Sequence, residues 1–285
     1  MSAIDTTTPA TTGEIQTIVA ARRLTTAKVV FIGVGKPSTA AILARSIHNP
    51  ELVLVYESGT IGAKPHRVPL SIGDGELAET ADAVVAVPEM FNYWVGPGRI
   101  DVAFLGAAQV DRYGNLNSTV IGDYAAPRTR LPGAGGAPEI AGGCGEVVVV
   151  APHSTRTFVD RLDFVTTVGH ADPRGELGWA AAGRGGDGAR EAGGAGSTGG
   201  DTPVPVTRKS LGFRGRGPSA VITDLGVLEP DPETKELTLV QLHPGATVEG
   251  AQEATGWDLR VAADVATTDP PTAEELHGLR ELVSR

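Results

Sequence analysis

Glu57 closes an apolar run, "ELVLVYESG", and is followed by Ser58 and Gly59. A carboxylate in that place has two readings. By residue type alone, a solvated strand end is the commoner one. The other is a nucleophile toward an activated acyl group. Attack requires the ionised form, so burial has to be offset by nearby N–H donors. Gly59 permits a sharp turn and close backbone approach at this point.

Other chemistries find less support. Ser58 has Tyr56 where a nucleophile elbow needs its first glycine, and Ser197 lies in a glycine-rich stretch that builds no core. "GVGKPS" at 33–38 follows a strand-like run and precedes a helix-like one, the right setting for an anion-cradling turn. Ser38 replaces the third glycine of a dinucleotide fingerprint, however, and Pro37 after Lys36 breaks a P-loop. Gly33 and Gly35 remain as a turn whose N–H groups could face a ligand. His48, His66, His153, His170, His243 and His277 show no ligand spacing with one another or with Cys144, so no metal site is expected.

A second glycine turn, "RLPGAGGAPEIA", sets Gly135, Gly136 and Ala137 where small side chains would let backbone N–H groups approach a substrate. An ordinary glycine turn is the alternative. Near the two turns lie "KPHR" at 64–67 and "PRTR" with Arg128 and Arg130, the latter pair suited to forked binding of a carboxylate. Such residues are more often solvated surface.

The elements that must hold these groups follow from periodicity. "GEIQTIVAARRL" has helical spacing and "KVVFIG" reads as a buried strand. "GVGKPSTAAILARSIH" reads as a turn and helix with Pro37 in its first turn, and 52–56 as the next strand. Further strands are expected at 83–87, 101–106, 146–151 and 219–224, and a strand pair over 225–242 turning around Asp231–Lys235. "VEGAQEATG" and "TAEELHGLRELVSR" carry helical signals. The alternation predicts an α/β class with an open, mainly parallel sheet and flanking helices. Residues 1–285 read as one domain, interrupted at 178–207 by a Gly/Ala-rich insertion expected to be flexible, with its ends close together in space.

With 285 residues, 41% hydrophobic and 20% charged, the chain has the make-up of a globular protein with a sizeable core. The net charge of −10 argues against a nucleic-acid surface. A single cysteine excludes an internal disulfide and suits a reducing compartment. No apolar run reaches membrane-spanning length and no secretory leader is evident, so a cytoplasmic protein away from membranes is expected.

"VVFIGVGKPS", "YESGTIG", "RIDVAFLGAAQVDRYGNLNST", "RLPGAGGAPEIA" and "SAVITDLGVLEPD" together resemble, in order, the β subunits of two-subunit family I CoA-transferases. The resemblance runs from about residue 14 to 265 and is closest to the glutaconate CoA-transferase branch. Within it, "YESGTIGAKP", "PLSIGDGELAETADAVVAVPEMFNYW" and "PGRIDVAFLGAAQ" are most similar to 3-oxoadipate-type β subunits. The insertion at 178–207 departs from the family's compact members.

The resemblance implies that Glu57 is the covalent nucleophile and that Gly135, Gly136 and Ala137 offer backbone donors to an oxyanion. It implies that the loops with Gly33, Gly35 and Gln109 line the site, beside Gly59, with Arg128 and Arg130 as candidates for binding CoA or a carboxylate. CoA and acyl-CoA are then substrates, with no further cofactor, and an α subunit completes the active site. The expected reaction moves CoA from succinyl-CoA to 3-oxoadipate or a similar dicarboxylate through a glutamyl-CoA thioester, in aromatic-compound catabolism. Alternatives are a glutaconate-type or other 3-oxoacid CoA-transferase, or a CoA-thioester hydrolase of the same superfamily. A metabolite sensor is a further class, but residues 1–27 are too short for the helix-turn-helix such a protein carries.

Overall fold

Consecutive buried strands alternating with helices give the chain its frame. The computed structural model describes residues 7–170 and 208–284; the insertion expected at 178–207 lies outside them. Helix α1 (Thr12–Arg22) starts at a capping box in which Thr11 and Glu14 exchange side chain-to-backbone hydrogen bonds. Strand β1 (Val29–Ile32), helix α2 (Lys36–Leu43) and strand β2 (Val53–Tyr56) make the first parallel unit. Pro37 sits in the first turn of α2, where a missing N–H leaves no intrahelical bond unmade. Beyond β2 come β3 (Thr60–Ile61), α3 (Gly75–Glu79), β4 (Ala83–Val84), α4 (Val87–Met90) and β5 (Val102–Leu105).

Two small hairpins follow, β6 (Gln109–Val110) with β7 (Leu116–Asn117), and β8 (Val120–Gly122) with β9 (Pro127–Arg130). Helix α5 (Ala137–Gly143) then leads into β10 (Glu146–Val150). The last elements are β11 (Pro218–Ile222), β12 (Gly226–Pro230), β13 (Leu237–Leu242), α6 (Val248–Glu253), β14 (Arg260–Thr267) and α7 (Ala273–Ser284).

Among the described residues ten strands form one sheet in the order β14-β13-β12-β11-β10-β5-β1-β2-β3-β4. The five strands from β11 to β2 are parallel throughout. Antiparallel pairs, β11–β12 and β12–β13 on one side and β2–β3 and β3–β4 on the other, flank this centre. The mainly parallel α/β sheet expected from the sequence is therefore present. No helix among the described residues is long and apolar enough to cross a membrane.

Side chains alternate across the sheet, and both faces are covered, as a parallel sheet requires. Val30, Ile32, Leu54 and Tyr56 point into a core shared with α1, α2 and α7. Phe31, Val55 and Ala103 point the other way, against Met90, Ile140 and Cys144. Burial pushes the Cys144 thiol up to about 12, so it serves as a small apolar side chain.

Two expectations need correction. The run 83–87 is a strand only at 83–84, because Glu89 accepts a hydrogen bond from the Ala86 N–H (2.9 Å) and opens α4 at Val87. Strand β14 is absent from the pattern read along the sequence. Its alanines and Asp264 carry little strand signal, and it forms by pairing in parallel with the edge of β13.

Residues 208–217 clasp the end of α5. Arg208 donates to the carbonyls of Ala141, Val168 (3.1 Å), Gly169 (2.9 Å) and Gly215 (3.1 Å), and its guanidinium lies over the Phe213 ring. The N–H groups of Arg214 and Gly215 donate to the Gly142 carbonyl at 2.9 and 3.1 Å.

Candidate active site

The five parallel strands leave their carboxyl ends on one side of the sheet, and β1 and β5 run on from there in opposite directions across the strand order. Such a switch point is where an open α/β sheet presents a crevice. A cavity of about 600 Å³ occupies it. Its wall includes the residue or two beyond each central strand: Gly33, Glu57, Gly106, Pro152 and Asp224.

Glu57 is half-buried directly after β2, so the rigid strand sets the origin of its side chain. Tyr56 before it is fully buried and its hydroxyl hydrogen-bonds Ser38 Oγ of α2 at 2.8 Å. Burial pushes that phenol up to about 12, so it stays neutral. After Glu57 the chain reverses through a Gly59 N–H to Tyr56 carbonyl bond of 2.9 Å. The Glu57 carboxylate has no hydrogen-bond or ion-pair partner among the described residues. Burial raises its pKa above the ordinary carboxylate value. A carboxylate so placed is less solvated than one on the surface, which makes its ionised form the stronger nucleophile.

Opposite stands the glycine turn before α5. Gly133, Gly135 and Gly136 all adopt positive φ (102°, 52° and 79°), a region open to glycine at no steric cost. The turn is pinned by a Gly133 N–H to Ser118 carbonyl bond (2.9 Å) and by Ser118 Oγ donating to the Gly133 carbonyl (2.8 Å). A methyl group on Gly136 would lie 3.5 Å from Glu57 Oε1 and 2.5 Å from Phe91 Cζ. Phe91 is itself held edge-to-face against Phe31, a cavity residue. The turn thus meets the carboxylate directly. The N–H groups of Gly135 and Gly136 donate to no other described residue. Free donors beside a carboxylate suit a reaction in which charge develops on a carbonyl oxygen.

Residues 14–254 match the family described as coenzyme A transferase. The chain belongs to the coenzyme A transferase family. It is 52% identical over 274 residues to the β subunit of the 3-oxoadipate CoA-transferase of Pseudomonas knackmussii, covering 96% of this chain and 94% of the relative. It is 32% identical to the β subunit of the glutaconate CoA-transferase of Acidaminococcus fermentans, covering 92% of this chain and 89% of the other. The crystal structure of the Acidaminococcus fermentans glutaconate CoA-transferase superposes with a TM-score of 0.78 at 29% identity, over 96% of this chain and 95% of that one. The family expected from the motifs is the family found.

Within this coenzyme A transferase fold, Glu57, Gly33, Gly135 and Ala137 share the cavity, with Gly136 in direct approach to Glu57. Other expected residues are placed differently. The Ala137 N–H donates to the Ala134 carbonyl at 2.8 Å, so Ala137 is a wall residue and no free donor. Gly59 adjoins no ligand space, because a methyl group there would lie 2.0 Å from the Val85 carbonyl oxygen. Gly35 caps α2 with φ of 80° beside the cavity residues Val34 and Lys36. Buried Gln109 ties Asn117 (2.7 Å) to Asp163 (3.0 Å) and takes no part in the cavity wall. Arg128 and Arg130 are exposed on β9, outside the cavity, with Arg130 lying over the Tyr124 ring and donating to the Tyr124 carbonyl.

Gln16, Lys36 and Asp224, not among the expected site residues, also stand in the cavity wall. Asp224 follows β11 much as Glu57 follows β2, so the same strand-end logic applies to "SAVITD". The signal for Gln16 is a lone amide within the apolar run of α1.

Proposed function

We propose that this chain is the β subunit of a CoA-transferase that moves CoA from succinyl-CoA to 3-oxoadipate or a similar dicarboxylate, with Glu57 as covalent nucleophile. The observation that carries the reading is the Glu57 carboxylate itself: half-buried, without partner among the described residues, at the carboxyl end of a central strand, and in one cavity wall with the glycine turn whose Gly136 comes directly alongside it. The 52% identity to the β subunit of a 3-oxoadipate CoA-transferase supports the acceptor and the place in aromatic-compound catabolism. That both relatives are one subunit of a larger enzyme supports an α subunit that completes this one. A chain handling CoA thioesters in such a route would act in the cytoplasm.

The chemistry balances without ATP, metal or redox cofactor. A Glu57 oxygen attacks the thioester carbonyl of the donor, forming a mixed anhydride as the carbon–sulfur bond breaks and CoA thiolate leaves. The thiolate attacks the Glu57 carbonyl of that anhydride, giving a glutamyl-CoA thioester and freeing succinate. The acceptor carboxylate then attacks the glutamyl thioester, and the thiolate it expels takes the acceptor's carbonyl from the second anhydride. Glu57 is regenerated as a carboxylate. Each attack places negative charge on a carbonyl oxygen, and loss of one stabilising donor in such sites costs about 10²–10³ in rate. The covalent intermediate implies ping-pong kinetics.

The test uses the αβ complex. Incubation with succinyl-CoA followed by borohydride reduction should alter the mass of the peptide that carries Glu57. Glu57→Gln should assemble normally yet lose transfer by about 10³-fold or more. Because the attacking form is ionised and burial raises the pKa, wild-type activity should fall as pH drops, with a midpoint above the ordinary carboxylate range. An active complex without the adduct, or an active Glu57→Gln variant, excludes covalent catalysis by this residue.

A further inference from the structure

Every participant in the proposed reaction is an anion, yet the cavity wall carries two carboxylates, Glu57 and Asp224. Among the described residues one basic side chain lines it, Lys36 at the start of α2. Among the described residues its ammonium accompanies no carboxylate. Nζ instead lies 2.5 Å from Gln16 Oε1.

Gln16 is an unusual holder for a cation. It is only 1% exposed, and its Nε2 donates to the carbonyls of Ala151 (3.0 Å) and Ile222 (2.9 Å), at the ends of β10 and β11. Both amide hydrogens are thereby engaged, which leaves the oxygen fixed toward Lys36. The contact orients the ammonium and uses one of its three hydrogens. Being neutral, the amide cancels none of the charge. Two donors and a full positive charge remain on a side chain that is open at the cavity mouth.

We infer that Lys36, oriented by Gln16, binds the second carboxylate of a dicarboxylic acyl group while Glu57 reacts at the first. The inference rests on the transferase reading and deepens it by naming the group that selects the substrate. A cavity of about 600 Å³ has the size of a small-ligand site. A short dicarboxylic acyl group on its thioester arm fits that volume. A lysine presents a point charge without the fixed fork of arginine, so it tolerates acyl chains of slightly different length. Arg128 and Arg130 stand outside the cavity wall.

The experiment compares the wild-type αβ complex with Lys36→Met and Lys36→Arg. In a ping-pong reaction kcat/KM for the acceptor reports only the second half-reaction, so 3-oxoadipate and 3-oxohexanoate can be compared with any donor. Lys36→Met should lower the preference for the dicarboxylate by about tenfold or more, the worth of a hydrogen bond to a charged group. Lys36→Arg should restore most of it. Calorimetric binding of adipate and hexanoate to the same complexes should change in the same sense without turnover. An equal loss with both acceptors would assign Lys36 to the CoA portion and overturn the inference, as would an unchanged preference. Should wild type transfer to neither acceptor, the transferase reading fails by itself. The adipate-to-hexanoate binding ratio then still decides the role of Lys36.

Discussion

Gly33 and Gly59 both follow central parallel strands of one sheet, and β1 and β2 are immediate neighbours. Their surroundings are opposite. A methyl group on Gly33 would meet nothing within 4 Å, and the residue lines the cavity. One on Gly59 would lie 2.0 Å from the Val85 carbonyl oxygen, where the Val85 N–H already donates to the Gly59 carbonyl at 2.9 Å. The first glycine keeps room free; the second is required by backbone packing between β3 and β4. Gly136 combines the two, with positive φ, an aromatic ring in contact and the Glu57 carboxylate alongside. A glycine next to an active-site motif is thus no sign of ligand approach until its missing side chain is located.

This contrast can be broken most forcefully at Gly59. Gly59→Ala sets a methyl group against rigid backbone at φ of 100° and should destabilise the chain by about 3 kcal/mol or more. Thermal unfolding would register it as a drop of several degrees, and a wild-type melting curve would remove Gly59 from the packing class. Gly136→Ala comes next. It displaces Phe91 and shifts the turn against Glu57, so transfer should slow by about 10²-fold while the melting temperature changes less than for Gly59→Ala. Steady-state rates beside melting curves separate these two effects. Gly33→Ala should be the mildest, with unaltered stability and a KM for acyl-CoA raised a few-fold, on the order of 1 kcal/mol of binding. Unaltered kinetics there would mean that the space above Gly33 is not substrate space.

What is legible in the sequence follows the same physical divide. The central strands are continuous apolar runs because both faces are covered, and such runs announce themselves; Glu57 is visible as the charge that ends one. Strand β14 is not, since its stability comes from the edge it joins and not from its own residues. Helix α4 intrudes on an expected strand because one side chain, Glu89, turns the backbone. The cations mislead for a related reason. Arg128 and Arg130 are close to the glycine turn along the chain, whereas Lys36 is brought to the cavity by a strand-to-helix connection and held there by Gln16 from another helix. Tertiary partners of this kind leave no local trace.

The Arg208 clasp has a separate consequence. Arg208 bonds to the carbonyls of Val168 and Gly169, while His170 Nε2 hydrogen-bonds the Pro218 carbonyl at 2.7 Å, so the chain leaving at 170 and the chain returning at 208 are stitched to each other. The glycine turn that meets Glu57 opens α5, and the far end of the same helix is held by this one guanidinium, so a side chain outside the cavity secures the helix on which the turn is mounted.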